Sequence, residues 1–180
     1  MEIEEKEIKG LVEVFPKVFG DQRGFFLETY NESRYDGVLK NVQFVQDNFS
    51  SSNKGVLRGL HFQKPPYSQG KLVQVITGSA LDVAVDLRKN SETYGHHVKV
   101  LLSAEKRNQF WIPEGFAHGF LALEDNTIFS YKCTNYYNPQ SEETIFWNDR
   151  NLQIDWQIDN PIISPKDTEG MLFKDFDTPF

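Results

Sequence analysis

Short strand-like segments recur at regular spacing along the middle of this chain, and this repetition constrains the fold most. In residues 81–87 apolar side chains alternate with Asp82 and Asp86, as expected of a strand with one apolar face. Turn-forming residues separate such segments, and many short strands joined in this way are typical of a β-sandwich or β-barrel. The sequence therefore predicts an all-β fold. The predicted strands are 7–18 (with a break at Pro16), 25–30, 42–49, 59–63, 71–77, 81–87, 98–102, 109–112, 117–123 and 127–132.

The ends of the chain are less regular. Residues 31–39 predict a short helix, and residues 141–149 predict one further strand. A short helical tail is expected to start at Ser164 or Asp167, because both residue types favour helix N-termini. No stretch rich in Gly, Ser or Pro marks a linker, so we expect one domain over residues 1–180 with a short C-terminal extension.

Composition excludes several classes of protein. The formal net charge is -7, whereas nucleic-acid-binding faces carry a basic excess, so we expect no nucleic-acid partner. The single cysteine, Cys133, allows no intrachain disulfide, which fits a reducing cytoplasm. The acidic N-terminus lacks the apolar core of a signal peptide, and no apolar run approaches the roughly 18 residues of a membrane span. We therefore expect a cytoplasmic protein without membrane contact.

An arginine and a histidine interrupt the apolar run of residues 55–63. Facing a concave pocket, Arg58 would bind an anion and His61 would accept a proton. Lys71 is either an exposed lysine at the start of a strand or a group that stabilises a developing oxyanion. Tyr131 is either a strand tyrosine with its hydroxyl at the rim or a general acid.

The histidines do not follow the pattern of a cupin metal site. Phe62 and Gln63 follow His61, so the His-x-His pair that often supplies two ligands is broken. Lys71 stands ten residues after His61, where a carboxylate ligand is wanted, and a cation near a divalent ion is unfavourable. We expect no metal and no other cofactor, because the Gly-x-Gly-x-x-Gly fingerprint of a dinucleotide site is also missing. The remaining groups fit proton abstraction next to a carbonyl on a phosphorylated substrate.

Four motifs resemble those of the dTDP-4-dehydrorhamnose 3,5-epimerase family, and the similarity runs from about residue 8 to residue 170. They are DQRGFFLE at 21–28, GVLRGLHFQ at 55–63, PEGFAHGF at 113–120 and YKCT at 131–134. The resemblance implies a cupin-type jelly-roll barrel with a few short helices. It also implies a homodimer in which an N-terminal strand is exchanged between subunits.

The resemblance implies a reaction as well. The substrate would be dTDP-4-dehydro-6-deoxy-D-glucose, and inversion at C3 and C5 would give dTDP-4-dehydro-L-rhamnose in dTDP-L-rhamnose biosynthesis without a metal. Three other functions stay open from the residues alone. They are epimerisation at one centre (C3 or C5) of a related dTDP-4-keto-6-deoxy sugar, non-catalytic binding of a sugar nucleotide, and a metal-dependent cupin oxygenase.

Individual roles also follow from the resemblance. His61 would remove the protons at C3 and C5, and Tyr131 would return a proton to the opposite face. Lys71 would hold the C4 oxygen as enolate charge develops. Asp167 would orient His61, with Asp82 as the competing carboxylate. The substrate-contacting positions would be Arg23, Glu28, Gln46, Asn48, Arg58, Lys71, His118, Glu142 (or its neighbour Glu143) and Lys166.

Overall fold

Strands dominate the structure, a computed structural model that describes residues 1–39 and 41–180. The short helices are α1 (Glu32–Tyr35) and α2 (Pro165–Thr168), with a 3-10 turn at Phe173–Asp175. None of the described helices is long and apolar enough to cross a membrane. The strands are β1 (Glu2–Glu5), β2 (Val12–Phe15), β3 (Val18–Asp21), β4 (Gly24–Leu27), β5 (Gln46–Ser52), β6 (Val56–Gln63), β7 (Lys71–Thr77), β8 (Ser79–Asp86), β9 (His97–Ser103), β10 (Gln109–Ile112), β11 (Phe116–Ala122), β12 (Thr127–Cys133), β13 (Glu142–Thr144) and β14 (Ile162–Ile163).

Two large sheets face each other. One has the strand order β1-β2-β10-β7-β12-β5 and the other β13-β6-β11-β8-β9, with β14 parallel to β6. Neighbouring strands such as β7 and β12 are distant in sequence and antiparallel. This arrangement is a cupin-type jelly roll, which confirms the predicted fold class.

The inner faces of the two sheets enclose an apolar core. The rings of Phe120 and Phe129, one from each sheet, stack with centroids 4.0 Å apart. In β8 the small residues Ala80 and Ala84 face the same core, which leaves room for larger side chains opposite. Asp82 lies between these two alanines in the strand. The alternation that predicted β8 therefore places a carboxylate inside the barrel.

Segments outside the sheets cover their outer faces. Leu152, Trp156 and Phe176 from the C-terminal part of the chain pack on the sheet that contains β6. Tyr35 packs beside Trp111 on the outer face of the other sheet. These covers explain why both faces of central strands such as β8, β10 and β11 are buried.

Three of the predicted segments were longer than the elements in the structure. The predicted strand 7–18 is interrupted by a turn, in which Leu11 N–H donates to Ile8 O at 3.1 Å. The predicted break at Pro16, which has no N–H for a sheet ladder, is present, because β2 ends at Phe15 and β3 begins at Val18. The predicted helix 31–39 is helical only over Glu32–Tyr35, and the predicted strand 141–149 only over Glu142–Thr144.

Strands β3 and β4 form a separate hairpin with its own two-stranded sheet. Phe19, Phe25 and Phe26 are 51%, 58% and 68% exposed there. Apolar surface of this kind marks an interaction site in many proteins. The hairpin carries Arg23, one of the predicted substrate contacts.

Candidate active site

Strand β6 carries the central group of the site. His61 lies directly opposite His118 of β11 in the antiparallel pair. Gly59 has φ +129°, and a Cβ there would come within 2.5 Å of Gly119 Cα. Only glycine tolerates this backbone conformation and this approach. The two glycines therefore let β6 and β11 run close together beside the two histidines.

His61 is paired with Asp167. Its Nε2 lies 2.5 Å from Asp167 Oδ1, and Gly59 N–H donates to Asp167 Oδ2 at 3.4 Å. Asp167 is in α2, where its own N–H donates to the N-cap hydroxyl of Ser164 at 3.2 Å. Of the two carboxylates that the sequence left open, Asp167 is thus the one in contact with His61.

The surroundings of Asp167 favour its ionised form. Burial raises the pKa of this carboxyl, but the hydrogen bonds from His61, Gly59 and Ser164 outweigh burial and hold the pKa below its usual value. An ionised carboxylate only accepts hydrogen bonds. His61 Nε2 must then carry the hydrogen, which leaves the lone pair on Nδ1.

A second histidine–carboxylate pair lies beside the first. His118 Nε2 is 2.9 Å from Asp82 Oδ2, and Asp82 is fully buried. Its other oxygen, Oδ1, has no hydrogen-bond partner among the described residues. Burial raises the pKa of Asp82, although His118 and Lys71 oppose that effect.

One cavity of about 110 Å³ brings His61, Lys71 and Tyr131 together. Lys71 faces Cys133 across the β7–β12 pair. Burial lowers the pKa of Lys71, and the nearby Cys133, Glu142 and Asp82 oppose that change. Burial raises the pKa of Tyr131, so its phenol keeps a proton that it can donate.

Three more predicted residues line this cavity: Gln46, Asn48 and Glu142. Gln46 Nε2 donates to Asn48 Oδ1 at 3.1 Å. Glu142 accepts a hydrogen bond from the Tyr137 hydroxyl at 2.8 Å and forms an ion pair with Lys166. The predicted Lys166 thus reaches the cavity through Glu142.

The alternative position Glu143 points elsewhere, to an ion pair with Lys64 at 2.5 Å. Arg58 is exposed beside the cavity, where its Nε donates to Ser52 Oγ at 3.2 Å. It is close enough to Tyr131 to oppose the rise in the pKa of that phenol. Arg58 is therefore available to an anion at the rim.

Two of the predicted substrate-contacting residues, Arg23 and Glu28, do not lie near His61 of the same chain. Arg23 forms a 2.5 Å ion pair with Asp21, and its side chain is 85% exposed. Glu28 pairs with Arg34 at 3.2 Å. Neither Arg23 nor Glu28 is among the described residues that line the cavity of His61.

Sequence reasoning missed several residues of the cavity wall: Gln63, Gln69, Cys133 and Tyr137. Gln63 had a usable signal, because it lies two residues after His61 in one strand and so shares its face. Tyr137 lies in an irregular loop, where no periodicity indicates which side chains face a cavity.

The described residues, 1–39 and 41–180, contain no group of three or more His, Cys, Asp or Glu arranged to hold a metal ion. In the site itself, each histidine is paired with a carboxylate instead.

The chain resembles one enzyme family over most of its length. A family model described as dTDP-4-dehydrorhamnose 3,5-epimerase matches residues 5–175. A curated relative from Shigella flexneri, named dTDP-4-dehydrorhamnose 3,5-epimerase, is 51% identical over 178 residues, which are 98% of each chain.

Solved structures of similar proteins share the fold. A dTDP-6-deoxy-D-glucose-3,5-epimerase from Legionella pneumophila Philadelphia 1, in complex with dTDP-4-keto-L-rhamnose, superposes with a TM-score of 0.94 at 48% identity. The match covers 98% of this chain and 94% of that one. A 3'-monoepimerase from Streptomyces bikiniensis, in complex with dTDP-quinovose, superposes with a TM-score of 0.88 at 28% identity. That match covers 94% of this chain and 86% of the other one.

Proposed function

The chain belongs to the dTDP-4-dehydrorhamnose 3,5-epimerase family, and from this premise we propose how its residues carry out the reaction. It is an isomerase that inverts C3 and C5 of dTDP-4-dehydro-6-deoxy-D-glucose and gives dTDP-4-dehydro-L-rhamnose for dTDP-L-rhamnose biosynthesis. The observation that carries the mechanism is the His61–Asp167 contact in a cavity shared with Lys71 and Tyr131.

His61 is the base in this mechanism. The C4 ketone acidifies the hydrogens on both neighbouring carbons, and the imidazole lone pair takes one of them. The electrons of the broken C–H bond move into an enolate whose charge rests on the C4 oxygen. The ionised Asp167 stabilises the imidazolium that forms and keeps the ring in one orientation. A positioned base of this kind contributes about 10²–10⁴-fold in rate.

Lys71 stabilises the enolate. Its ammonium group lies in a partly buried wall of the cavity, where a charge acts more strongly than in water. The charge that it neutralises exists only after the proton has left carbon. Lys71 therefore stabilises the transition state more than the bound ketone.

Tyr131 returns the proton. It belongs to β12 in one sheet, whereas His61 belongs to β6 in the other, so the two groups approach the cavity from opposite walls. Protonation by Tyr131 on the face opposite to His61 inverts the carbon. The phenol then regains a proton from solvent, and the imidazolium releases one.

The remaining groups bind the substrate. We assign the pyrophosphate to Arg58 at the rim, because guanidinium groups match phosphate oxygens with two parallel hydrogen bonds. Polar residues of the cavity and its rim hold the sugar and the nucleoside. They are Gln46, Asn48 and Glu142 in the cavity wall, Lys166 through its ion pair with Glu142 and His118 opposite His61.

The remaining predicted contacts support a homodimer. Arg23 and Glu28 lie in or next to the exposed hairpin β3–β4, so they reach a cavity only if the hairpin extends to a second chain. The exposed Phe49 and Ile76, at 77% and 50%, add apolar surface on another sheet. We therefore assign Arg23 to the pyrophosphate site of the partner subunit. We also assign the hairpin β3–β4 to the N-terminal segment that the two subunits exchange.

Mixed dimers test this assignment. Sedimentation should give twice the chain mass of 20.9 kDa. Chains with Arg23→Ala and chains with His61→Asn should each be inactive alone and regain activity when mixed. A mixed dimer then holds one cavity with both native residues. If mixing does not restore activity, Arg23 acts in the cavity of its own chain or has no role in catalysis.

Solvent exchange tests the reaction itself. Proton NMR of the 4-keto sugar nucleotide in deuterium oxide should show deuterium at C3 and at C5, with and without EDTA. Deuterium at C3 alone would indicate a monoepimerase, as for the Streptomyces bikiniensis relative. No exchange would indicate a binding protein, and exchange abolished by EDTA would indicate a metal enzyme.

We propose a cytoplasmic protein without a nucleic-acid partner. The net charge of -7 and the single cysteine support this. A basic binding face and a disulfide framework are the features that would oppose it.

A further inference from the structure

Two loops border the mouth of the cavity, and side-chain amides connect them. The loops are residues 64–70, between β6 and β7, and residues 134–141, between β12 and β13. Gln69 Nε2 donates to Asn135 O at 2.7 Å, and Asn135 Nδ2 donates to Pro66 O at 3.2 Å. These bonds tie one loop to the other at their outer parts.

Gln63 makes the central connection. Its Nε2 donates to Tyr67 O at 2.6 Å and to Tyr136 O at 3.1 Å. Its Oε1 accepts from Asn138 N–H at 2.7 Å. The side chain is only 5% exposed. Both amide hydrogens and the carbonyl are thus engaged with backbone groups of the two loops.

These hydrogen bonds leave the Gln63 side chain with little capacity to form hydrogen bonds with a substrate. Its two donors are used, and its carbonyl already has a partner. The backbone groups that it holds, Tyr136 O and Asn138 N–H, flank Tyr137 on both sides. The position of Tyr137 is therefore the feature that Gln63 controls most directly.

Tyr137 is held at two further points. Its backbone N–H donates to Gln46 Oε1 at 2.9 Å, and its hydroxyl donates to Glu142 Oε2 at 2.8 Å. The ring is 53% exposed and lines the same cavity as His61. A shift of the loop would move Tyr137 and would also break its contacts with Gln46 and Glu142.

We propose that Gln63 is a positioning residue that fixes the Tyr136–Asn138 wall of the cavity before the nucleotide sugar binds. This inference rests on the proposed function, because it assigns Gln63 to substrate binding by the same cavity. Preorganisation of a wall lowers the ordering cost of binding. It does not alter the groups that move protons, so Gln63 governs KM and leaves kcat nearly unchanged.

The test replaces Gln63 with glutamate. In Gln63→Glu an ionised carboxylate faces the carbonyl oxygens of Tyr67 and Tyr136, which repel it, and both donors are lost. We expect KM to rise about tenfold, as for a buried hydrogen bond replaced by an unpaired group. The change in kcat should stay below about threefold. At lower pH the protonated side chain again donates one bond, so the rise in KM relative to wild type should shrink.

Gln140→Glu is the matched control. Gln140 is exposed in the same loop, so it receives the same change of charge without touching the Gln63 bonds. Its KM should equal that of wild type at every pH. Far-UV circular dichroism checks the fold of each variant. If Gln63→Glu does not fold, Gln63→Met, which keeps the length of the side chain without its polar atoms, should show a raised KM.

The outcomes separate this inference from the proposed function. A wild-type chain without exchange at C3 or C5 would overturn the function. A wild-type chain that exchanges while Gln63→Glu keeps the KM of Gln140→Glu would overturn the inference alone. A loss in kcat at unchanged KM, or a KM effect that does not vary with pH, would also contradict a role in positioning the wall.

Discussion

Two histidine–carboxylate pairs lie side by side in neighbouring strands, yet their environments differ. His61 and His118 face each other across β6 and β11. His61 contacts Asp167 at 2.5 Å and His118 contacts Asp82 at 2.9 Å. Asp167 receives further hydrogen bonds from Gly59 and Ser164. One oxygen of Asp82 has no partner within the described part of the chain.

The difference lies in the balance between burial and hydrogen bonding, which shifts the pKa values of the two carboxyl groups in opposite directions. Both carboxyl groups pay a cost for burial. In Asp167 the hydrogen bonds outweigh that cost and lower the pKa, whereas in Asp82 burial prevails and raises the pKa. A base needs a charged partner to stabilise its imidazolium. The lowered pKa of Asp167 therefore makes the His61 pair better suited to proton abstraction than the His118 pair, in which the pKa of Asp82 is raised.

The largest contrast is expected between His61→Asn and His118→Asn. Loss of the base should lower deuterium exchange at C3 and C5 by about 10²–10⁴-fold. Loss of His118 should raise KM and lower exchange by less than about tenfold, since one polar contact is removed. Proton NMR in deuterium oxide measures both variants. Equal losses of exchange would mean that the two histidines share the proton transfer.

A smaller contrast is expected in the pH dependence of stability. The pKa of Asp167 is lowered on folding from its ordinary value of 3.8. The contribution of Asp167 to the free energy of unfolding is therefore present above pH 3.8 and is lost as the pH falls through the folded pKa. The pKa of Asp82 is raised, so folding favours its protonated form. Its contribution is present below 3.8 and is lost as pH rises through the raised pKa.

The variants Asp167→Asn and Asp82→Asn should therefore respond in opposite directions. At pH 7, Asp167→Asn should lower the free energy of unfolding and Asp82→Asn should raise it or leave it unchanged. The decrease for Asp167→Asn should be of order 1 kcal/mol, and any increase for Asp82→Asn should be no larger. Urea unfolding as a function of pH measures this. The Asp82→Asn difference from wild type should shrink as pH falls to about 4, whereas the Asp167→Asn difference should persist there and shrink only below 3.8. Two variants with the same sign would contradict the contrast.

The smallest effect is expected from Ser164→Ala. The Ser164 hydroxyl caps α2 and holds the backbone of Asp167, and loss of such a cap costs about 1 kcal/mol. The looser helix should lower kcat a few-fold with little change in KM. Thr168→Val is the control in the same helix, because the Thr168 hydroxyl bonds Pro165 O and not Asp167. Equal kcat values for the two variants would show that capping does not help to orient His61.

The fold class and the central groups of the site could be predicted from the sequence. In β8 every second residue faces the core, so the alternation of residues 81–87 indicated the strand and its faces. The same local rule would have placed Gln63 on the face of His61, but Gln63 was not among the predicted site residues. Within the predicted strand 7–18 the break at Pro16 was predicted, but the turn before Leu11 was missed, because it follows from a local hydrogen bond that composition does not reveal.

Contacts between distant parts of the chain were decided only by the tertiary structure. Asp167 lies 106 residues after His61, and no spacing in the sequence distinguishes it from Asp82 as the partner. Packing of α2 against β6 made that choice. The bonds of Gln63 to two loops were equally hidden, since a glutamine in a strand does not indicate which backbone groups it will meet.

The sequence by itself determined the strands, their inner faces and the residue types available for proton transfer, because side-chain alternation is a property of the local backbone. The tertiary structure decided which carboxylate contacts His61, in which direction the pKa of each carboxyl group shifts and which side chains hold the loops. These depend on burial and on the number of donors around each group, and both arise only when remote segments pack together.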